Sequence, residues 1–353
     1  MKKIVSIVLS VLLVLSLVAC GGSSAGNTQP SSSNETSGGN ASAGNETVYK
    51  WKAANVLAPG APWDLGLLEF SRLLKEKSGG KIELTVYSGG QLGGERDTME
   101  GLQMGTVDFA IGSSATLSNF TDTNNIWDLP YLFPSKAAAR GVLDSEIGQE
   151  VLDSLSKVGI KGLSYWENGL YAIGSKEPIK SLADMKGKKI RAIESKLQTD
   201  VFSSFGATAV VIAWGDIYTS LQQGVCDGVD STTVPNMYSA KFHEVAPNIT
   251  LTNHGYSPAP LLMSQKLWDS LPADIQAIIL EAAQEAKLYE RNEIDKVFEK
   301  AKKEMESAGA TFYEINADEW SAAVKTVYEK YVGTMGIEED MVNRVKEAAA
   351  KFN

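Results

Sequence analysis

Residues Ser78–Ile111 read SGGKIELTVYSGGQLGGERDTMEGLQMGTVDFAI, and their periodicity changes twice. Ile82, Leu84 and Val86 alternate with polar residues, which predicts a strand. Glu95–Met104 carries helix formers, and Gly105 follows where a helix ends on a left-handed residue. Val107–Ile111 is a short, mostly apolar run, the pattern of a buried strand. Before this stretch, Leu67, Phe70 and Leu74 recur at helical spacing and stop at Ser78-Gly79-Gly80.

The alternation continues downstream. Residues 137–159 predict one helix, and Ile160–Trp166 a strand. Ser181 and Asp184 have capping-box spacing for a short helix ahead of Arg191. Lys196–Gly206 predicts a helix, Thr208–Trp214 a strand, Gly215–Gly224 a helix, and Cys226–Asp230 a short strand. Asn248–Met263 is extended, and a long amphipathic helix runs from near Pro272 to about Glu306. Ala310–Ile315 predicts a strand, and two helices close the chain. This order defines an α/β fold with helices on both sheet faces. Ligands of such sheets bind beyond the carboxyl ends of strands. That rule singles out Asn55 and Trp63 around the first strand-to-helix loop, and Ser113 and Ser114 after the strand Asp108–Ile111.

The 353 residues are enough for one large or two ordinary domains. Net charge is −10 with both signs interspersed, so no basic stripe points to nucleic acid or to anionic lipid. The first twenty residues differ from the rest: Lys2 and Lys3 precede an apolar run from Ile4 to Val18. A charged start, an apolar centre and a small-residue end describe an export signal over residues 1–20. It closes on Leu17-Val18-Ala19-Cys20, which resembles a bacterial lipobox and implies a diacylated Cys20. Two buried acyl chains anchor a protein firmly, at about 0.8 kcal/mol per CH2. Residues 21–47 are rich in Gly, Ser and Asn and predict a disordered tether. Cys226 is the only other cysteine and is expected as a small buried apolar residue.

The chain has only two histidines, His243 and His254, and no Cys/His cluster with metal spacing. It has no G-x-S-x-G elbow and no phosphate-binding loop. No cofactor is expected. An enzyme would have to use His254, Tyr171 and Glu95 as its acids and bases, and no motif unites them.

Lys186–Ser195, KGKKIRAIES, places Arg191 inside an apolar segment. A guanidinium is always charged and can give two parallel hydrogen bonds to one carboxylate. Burying it unpartnered costs several kcal/mol. Its partner is either an internal acid, Glu194 or Asp230, or an anionic ligand.

Five segments in this order carry a resemblance: Val56–Trp63 (VLAPGAPW), Ser78–Ile111, Leu182–Ser195 (LADMKGKKIRAIES), Trp214–Ser231 (WGDIYTSLQQGVCDGVDS) and Met237–Val245 (MYSAKFHEV). Together they resemble the solute-binding proteins of tripartite ATP-independent periplasmic (TRAP) transporters, from Val48 to the end of the chain. The resemblance implies a two-lobe, type II-like periplasmic-binding clamshell with a long helix spanning both lobes. One lobe would take residues 48–168 and 257–296, and the other 169–256 and 297–353. It further implies that Arg191 receives the carboxylate of a small organic acid, which is passed to TRAP permease subunits in the membrane. An ABC-type or sensory binding protein is the alternative within the same class.

Trp214 stands where the family carries a cleft aromatic. Ser231 stands where many members have Asn, and Asp230 replaces a Glu beside it. In Trp166–Tyr171, WENGLY, Tyr171 stands where many members have a second arginine, which argues against a dicarboxylate. Glu95 falls where members that bind polyols or sugar acids face the cleft, and His254 lies on a strand returning to the first lobe.

Overall fold

The computed structural model describes residues 48–352. Cys20, the export signal 1–20 and the linker 21–47 lie outside the described residues. Eleven strands appear among the described residues: β1 Tyr49–Ala54, β2 Ile82–Tyr87, β3 Phe109–Ile111, β4 Ile160–Leu170, β5 Ala172–Ser175, β6 Lys189–Ala192, β7 Thr208–Val211, β8 Gly228–Thr232, β9 Asn248–Leu251, β10 Tyr256–Ser264 and β11 Thr311–Glu314. They form two mixed sheets, ordered β2-β1-β3-β10-β4 and β11-β9-β5-β8-β6-β7. Each sheet is the floor of one lobe.

The chain passes between the sheets at two adjacent places. Tyr171 alone separates β4 from β5, and Thr252–Gly255 separate β9 from β10. The two crossings are bonded to each other: Tyr171 N donates to Gly255 O at 2.9 Å, and Asn253 N donates to Tyr171 O at 3.0 Å. A third link is the helix Ala273–Ser307, whose 35 residues span about 52 Å at 1.5 Å per residue. Its Ile275, Ile279, Ala282, Ala283 and Ala286 join the core of the first sheet, while Ala301 and Met305 join that of the second. Small residues at 282, 283 and 286 let the helix approach the sheet closely.

Local chemistry explains the boundaries. Pro62 opens the helix Pro62–Lys77, where its missing N–H costs nothing. Gly105 closes the helix Glu95–Met104 at φ 77°, a conformation that burdens other residues with their Cβ. Residues 137–159 form two helices, Lys136–Leu143 and Glu146–Ser154, rather than one. The break is capped by Ser145, whose Oγ accepts from Ile147 N at 3.2 Å. Asp144, at the break, instead holds Arg291 at 2.6 Å and Lys287 at 2.9 Å on the long helix. Three helices, not two, close the chain: Ala317–Ala323, Lys325–Tyr331 and Glu339–Ala349. The last of these packs against Lys136–Leu143. Cys226 is fully buried and free.

Candidate functional site

A cavity of about 480 Å³ opens between the two sheets at the ends of their strands. The loop after β1 contributes Val56 and Leu57, the start of the helix Pro62–Lys77 contributes Trp63, and the start of the helix Glu95–Met104 contributes Glu95 and Arg96. From the second sheet come Arg191 on β6, Ile193 and Glu194 beyond it, and Ile212 to Asp216 beyond β7. Asn168 near the end of β4 and Asn236 on the helix Val234–Ser239 complete the lining near the crossing strands.

Arg191 is only 3 % exposed. Its Nε donates to Ile212 O at 2.9 Å, and one terminal nitrogen donates to Asp230 O at 3.1 Å. Among the described residues no carboxylate lies within ion-pair distance of it, and no hydrogen bond engages its other terminal nitrogen. Glu194 is turned to Arg96, at 2.9 Å. The Asp230 carboxylate sits 3.4 Å from His254 Nε2. Burial pushes the Arg191 guanidinium down to about 10, against the pull of Glu95 and Asp230, so it stays charged at neutral pH. Two neutral carbonyls fix its direction without neutralising it.

Glu95 faces Arg191 from the opposite sheet, and its Oε2 accepts from Ser113 N at 2.9 Å, Ser113 Oγ at 2.6 Å and Thr116 Oγ1 at 2.7 Å. Three donors on one oxygen hold that carboxylate in a fixed position. The Trp63 indole donates to Glu167 O at 2.9 Å, which pins that ring to the first lobe. Trp214 stacks obliquely on Phe242 at 5.1 Å. It also packs against the core of the first sheet, so one indole touches both lobes.

The structure thus brings Arg191, Trp214, Glu95 and Trp63 to one cavity. Asn55, Ser114, Tyr171, Asp230 and His254 do not line it. Asn55 turns inward and donates to Ser88 Oγ at 3.1 Å. Ser114 accepts from Asn124 Nδ2 at 2.8 Å, while its neighbour Ser113 faces the cavity. Tyr171 is buried in the crossing and stacks on His254 at 5.4 Å. His254 is further enclosed by Phe202 and Phe205 and bonded to Thr252 Oγ1 at 2.8 Å. Both are buried away from the cavity. Ser231 belongs to β8, but its side chain is outside the described residues. Sequence reasoning passed over Asn168 and Asn236, whose side chains are hydrogen-bonded to each other. The signal for Asn168 is its place in Trp166–Tyr171, three residues before Tyr171.

Four contacts on Glu194–Gln198 tie the lobes together beside the cavity. Arg96 pairs with Glu194, and Asn119 Nδ2 donates to Glu194 O at 2.6 Å. Ser195 Oγ donates to Asp128 Oδ2 at 2.9 Å, and Gln198 Nε2 donates to Asp128 O at 3.3 Å. These contacts hold the two lobes against each other on one side of the cavity. Among the described residues, no three His, Cys, Asp or Glu side chains are grouped to hold a metal ion, and no helix is long and apolar enough to cross a membrane.

Two lobes on crossing strands, with a charged cavity between them, define a clamshell solute-binding protein. The chain belongs to the bacterial extracellular solute-binding proteins of family 7, whose profile matches residues 53–334. It is 31% identical to the C4-dicarboxylate-binding periplasmic protein DctP of Rhodobacter capsulatus over 305 residues, covering 85% of this chain and 91% of that one. A TRAP periplasmic solute-binding protein from Xanthobacter autotrophicus with bound β-D-galacturonate superposes with a TM-score of 0.81 at 31% identity, covering 84% of this chain and 99% of that one. The sugar acid binding protein DctPAm from Advenella mimigardefordensis, in complex with galactonate, superposes with a TM-score of 0.83 at 27% identity, over 87% and 99% of the two chains.

Proposed function

We propose that this protein captures a small organic acid outside the cytoplasm and delivers it to TRAP permease subunits. The observation that carries the reading is Arg191: a buried guanidinium aimed into the cavity by two backbone carbonyls, with no acid of its own among the described residues. A solute carboxylate supplies the missing charge and accepts two parallel hydrogen bonds from the guanidinium. The lobes would take residues 48–168 with 257–296, and 169–256 with 297–353, one sheet in each, the last helix, Glu339–Ala349, reaching back to Lys136–Leu143 of the first lobe. The Leu17–Cys20 lipobox and the following linker would hold the receptor to the outer face of the membrane.

The charge inventory favours a single carboxylate. The described lining holds Glu95, Asp97, Glu194 and Asp216 against Arg96 and Arg191. Arg96 is already paired, so only Arg191 remains for an anion. A second carboxylate would face unneutralised acids, whereas hydroxyl groups suit Glu95, Asn168 and Asn236 as hydrogen-bond partners. Hydroxylated monoacids of the kind bound by the galacturonate and galactonate neighbours fit this pattern better than the C4-dicarboxylates named for DctP. Thermal unfolding of the mature domain against uronic, aldonic, keto and dicarboxylic acids tests this. Stabilisation by dicarboxylates alone would overturn the single-carboxylate reading, and the absence of any stabilising acid would overturn the receptor reading.

Two effects follow from the closed geometry. Trp214→Ala removes an indole that contacts both lobes, and solute affinity is expected to fall roughly tenfold to a hundredfold in a calorimetric titration. Arg96→Ala breaks half-exposed pairs with Glu194 and Glu100, of which the pair with Glu194 joins the lobes and is worth about 0.2–1 kcal/mol. Solute dissociation should therefore quicken by no more than about fivefold, and the difference should shrink in high salt.

A further inference from the structure

A second cavity, of about 260 Å³, lies on the other side of the crossing strands. Asn168 lines both cavities. The helix Val234–Ser239 also stands between them, with Asn236 on the first cavity and Val234 and Pro235 on the second. The rear walls come from both lobes. Lys136, Glu167 and Ile294 stand on the side of the first sheet, and Val234, Pro235 and Leu251 on that of the second.

We propose that this rear cavity is a binding site for a small, uncharged, largely apolar molecule, and that its occupant tightens solute binding in the front cavity; the coupling rests on the two-lobe receptor reading above. The chemistry of the walls selects the class. Leu170, Ala172, Leu251, Ile294 and Phe298 present hydrocarbon. The only charged lining groups among the described residues are Lys136 and Glu167. They are paired with each other at 3.3 Å, Lys136 is also held by Asp295 at 2.6 Å, and Glu167 by Arg140 at 2.6 Å. No charge there waits for an ion, so burial of apolar surface is what the site offers.

The sign of the coupling follows from the hinge. The front contacts among Arg96, Asn119, Asp128 and the Glu194–Gln198 segment mark the closed form. Rotation about the crossing strands that parts the front walls drives the rear walls together. The rear cavity is therefore a property of the closed form, and a molecule filling it binds that form better. Linkage then requires the front solute and the rear molecule to strengthen each other equally.

Indole is a suitable probe, because it is flat, neutral and mostly apolar. Its binding to the parent is measured first by ligand-detected NMR with no acid present, which judges the site independently of any solute. Binding is expected in the parent and should disappear in Leu251→Phe, which fills the cavity. It should weaken about tenfold in Phe298→Ala, which removes a wall. The affinity for whichever acid stabilises the chain is then titrated with and without saturating indole, and about a fivefold tightening is expected. Leu251→Phe alone should tighten the acid in the same direction. Indole binding that ignores both substitutions, or an acid affinity that indole leaves unchanged or weakens, would overturn the proposal. If no acid binds, the receptor reading and the coupling fall together, while the NMR measurement still decides the rear site.

Discussion

Arg191→Lys is expected to cost most of the affinity for the solute while leaving the fold intact. Lysine keeps the charge but offers a single ammonium in place of a planar fork. It also gives up the bonds to the carbonyls of Ile212 and Asp230 that aim the side chain. Disrupting a buried, hydrogen-bonded charge pair costs about 2–5 kcal/mol, which is roughly a thirtyfold to several-thousandfold loss. Calorimetric titration of the stabilising acid measures it, and a thermal melt of the empty variant confirms folding. An affinity within about threefold of the parent would show that the carboxylate is received elsewhere, since that is under 1 kcal/mol.

The second large effect is a gain in stability at alkaline pH. Asp128 is only 4 % exposed, and its carboxylate meets hydroxyls rather than cations, Ser195 at 2.9 Å and Ser118 at 3.1 Å. Burial raises the Tyr171 phenol, and the Asp128 carboxylate adds to that rise. Burial pushes the Asp128 carboxyl up to about 7, although the two hydroxyls pull the other way. In the unfolded chain it titrates near the ordinary aspartate value of about 3.9. Between those values the folded chain holds a proton that the unfolded chain has lost, so folding weakens as pH rises from about 4 to 7 and then levels off. The slope from this one group is at most about 1.4 kcal/mol per pH unit.

Asp128→Asn keeps an oxygen for Ser195 and never ionises. At pH 8 the variant should be more stable than the parent by a few kcal/mol on the order expected for such a displacement, and near pH 4 the gain should vanish. Asp144, Asp200 and Asp295 oppose this trend, since neighbouring cations hold each below the usual carboxylate range despite partial burial. The comparison of variant with parent removes their contribution. A gain that is the same at both pH values would mean that Asp128 is not titrating in this window.

Much of the fold was legible because alternation and helical spacing are local properties. Ile82, Leu84 and Val86, the capping pair Ser181 and Asp184, and Gly105 each declare their element within a few residues. The helix break at Asp144 was not legible. At that break Ser145 caps the second helix, and Asp144 pairs with Lys287 and Arg291, which lie about 145 residues away in the chain. A local pattern carries no trace of such a partner.

The candidate site divides in the same way. Arg191 announced itself, because a permanent charge in an apolar segment needs a partner wherever it folds. The choice between Glu194 and Asp230 as that partner, or neither, depended on which way three side chains turn after the sheets pack. Only the assembled lobes turn Glu194 to Arg96 and Asp230 to His254. The same packing sends Tyr171 and His254 behind the cavity and brings Asn168 and Asn236 to its wall. Strand and helix order were therefore written in short-range periodicity, which the backbone obeys residue by residue. Which polar groups face the solute was fixed only when two sheets met across the crossing strands, because facing is a relation between distant segments and belongs to neither alone.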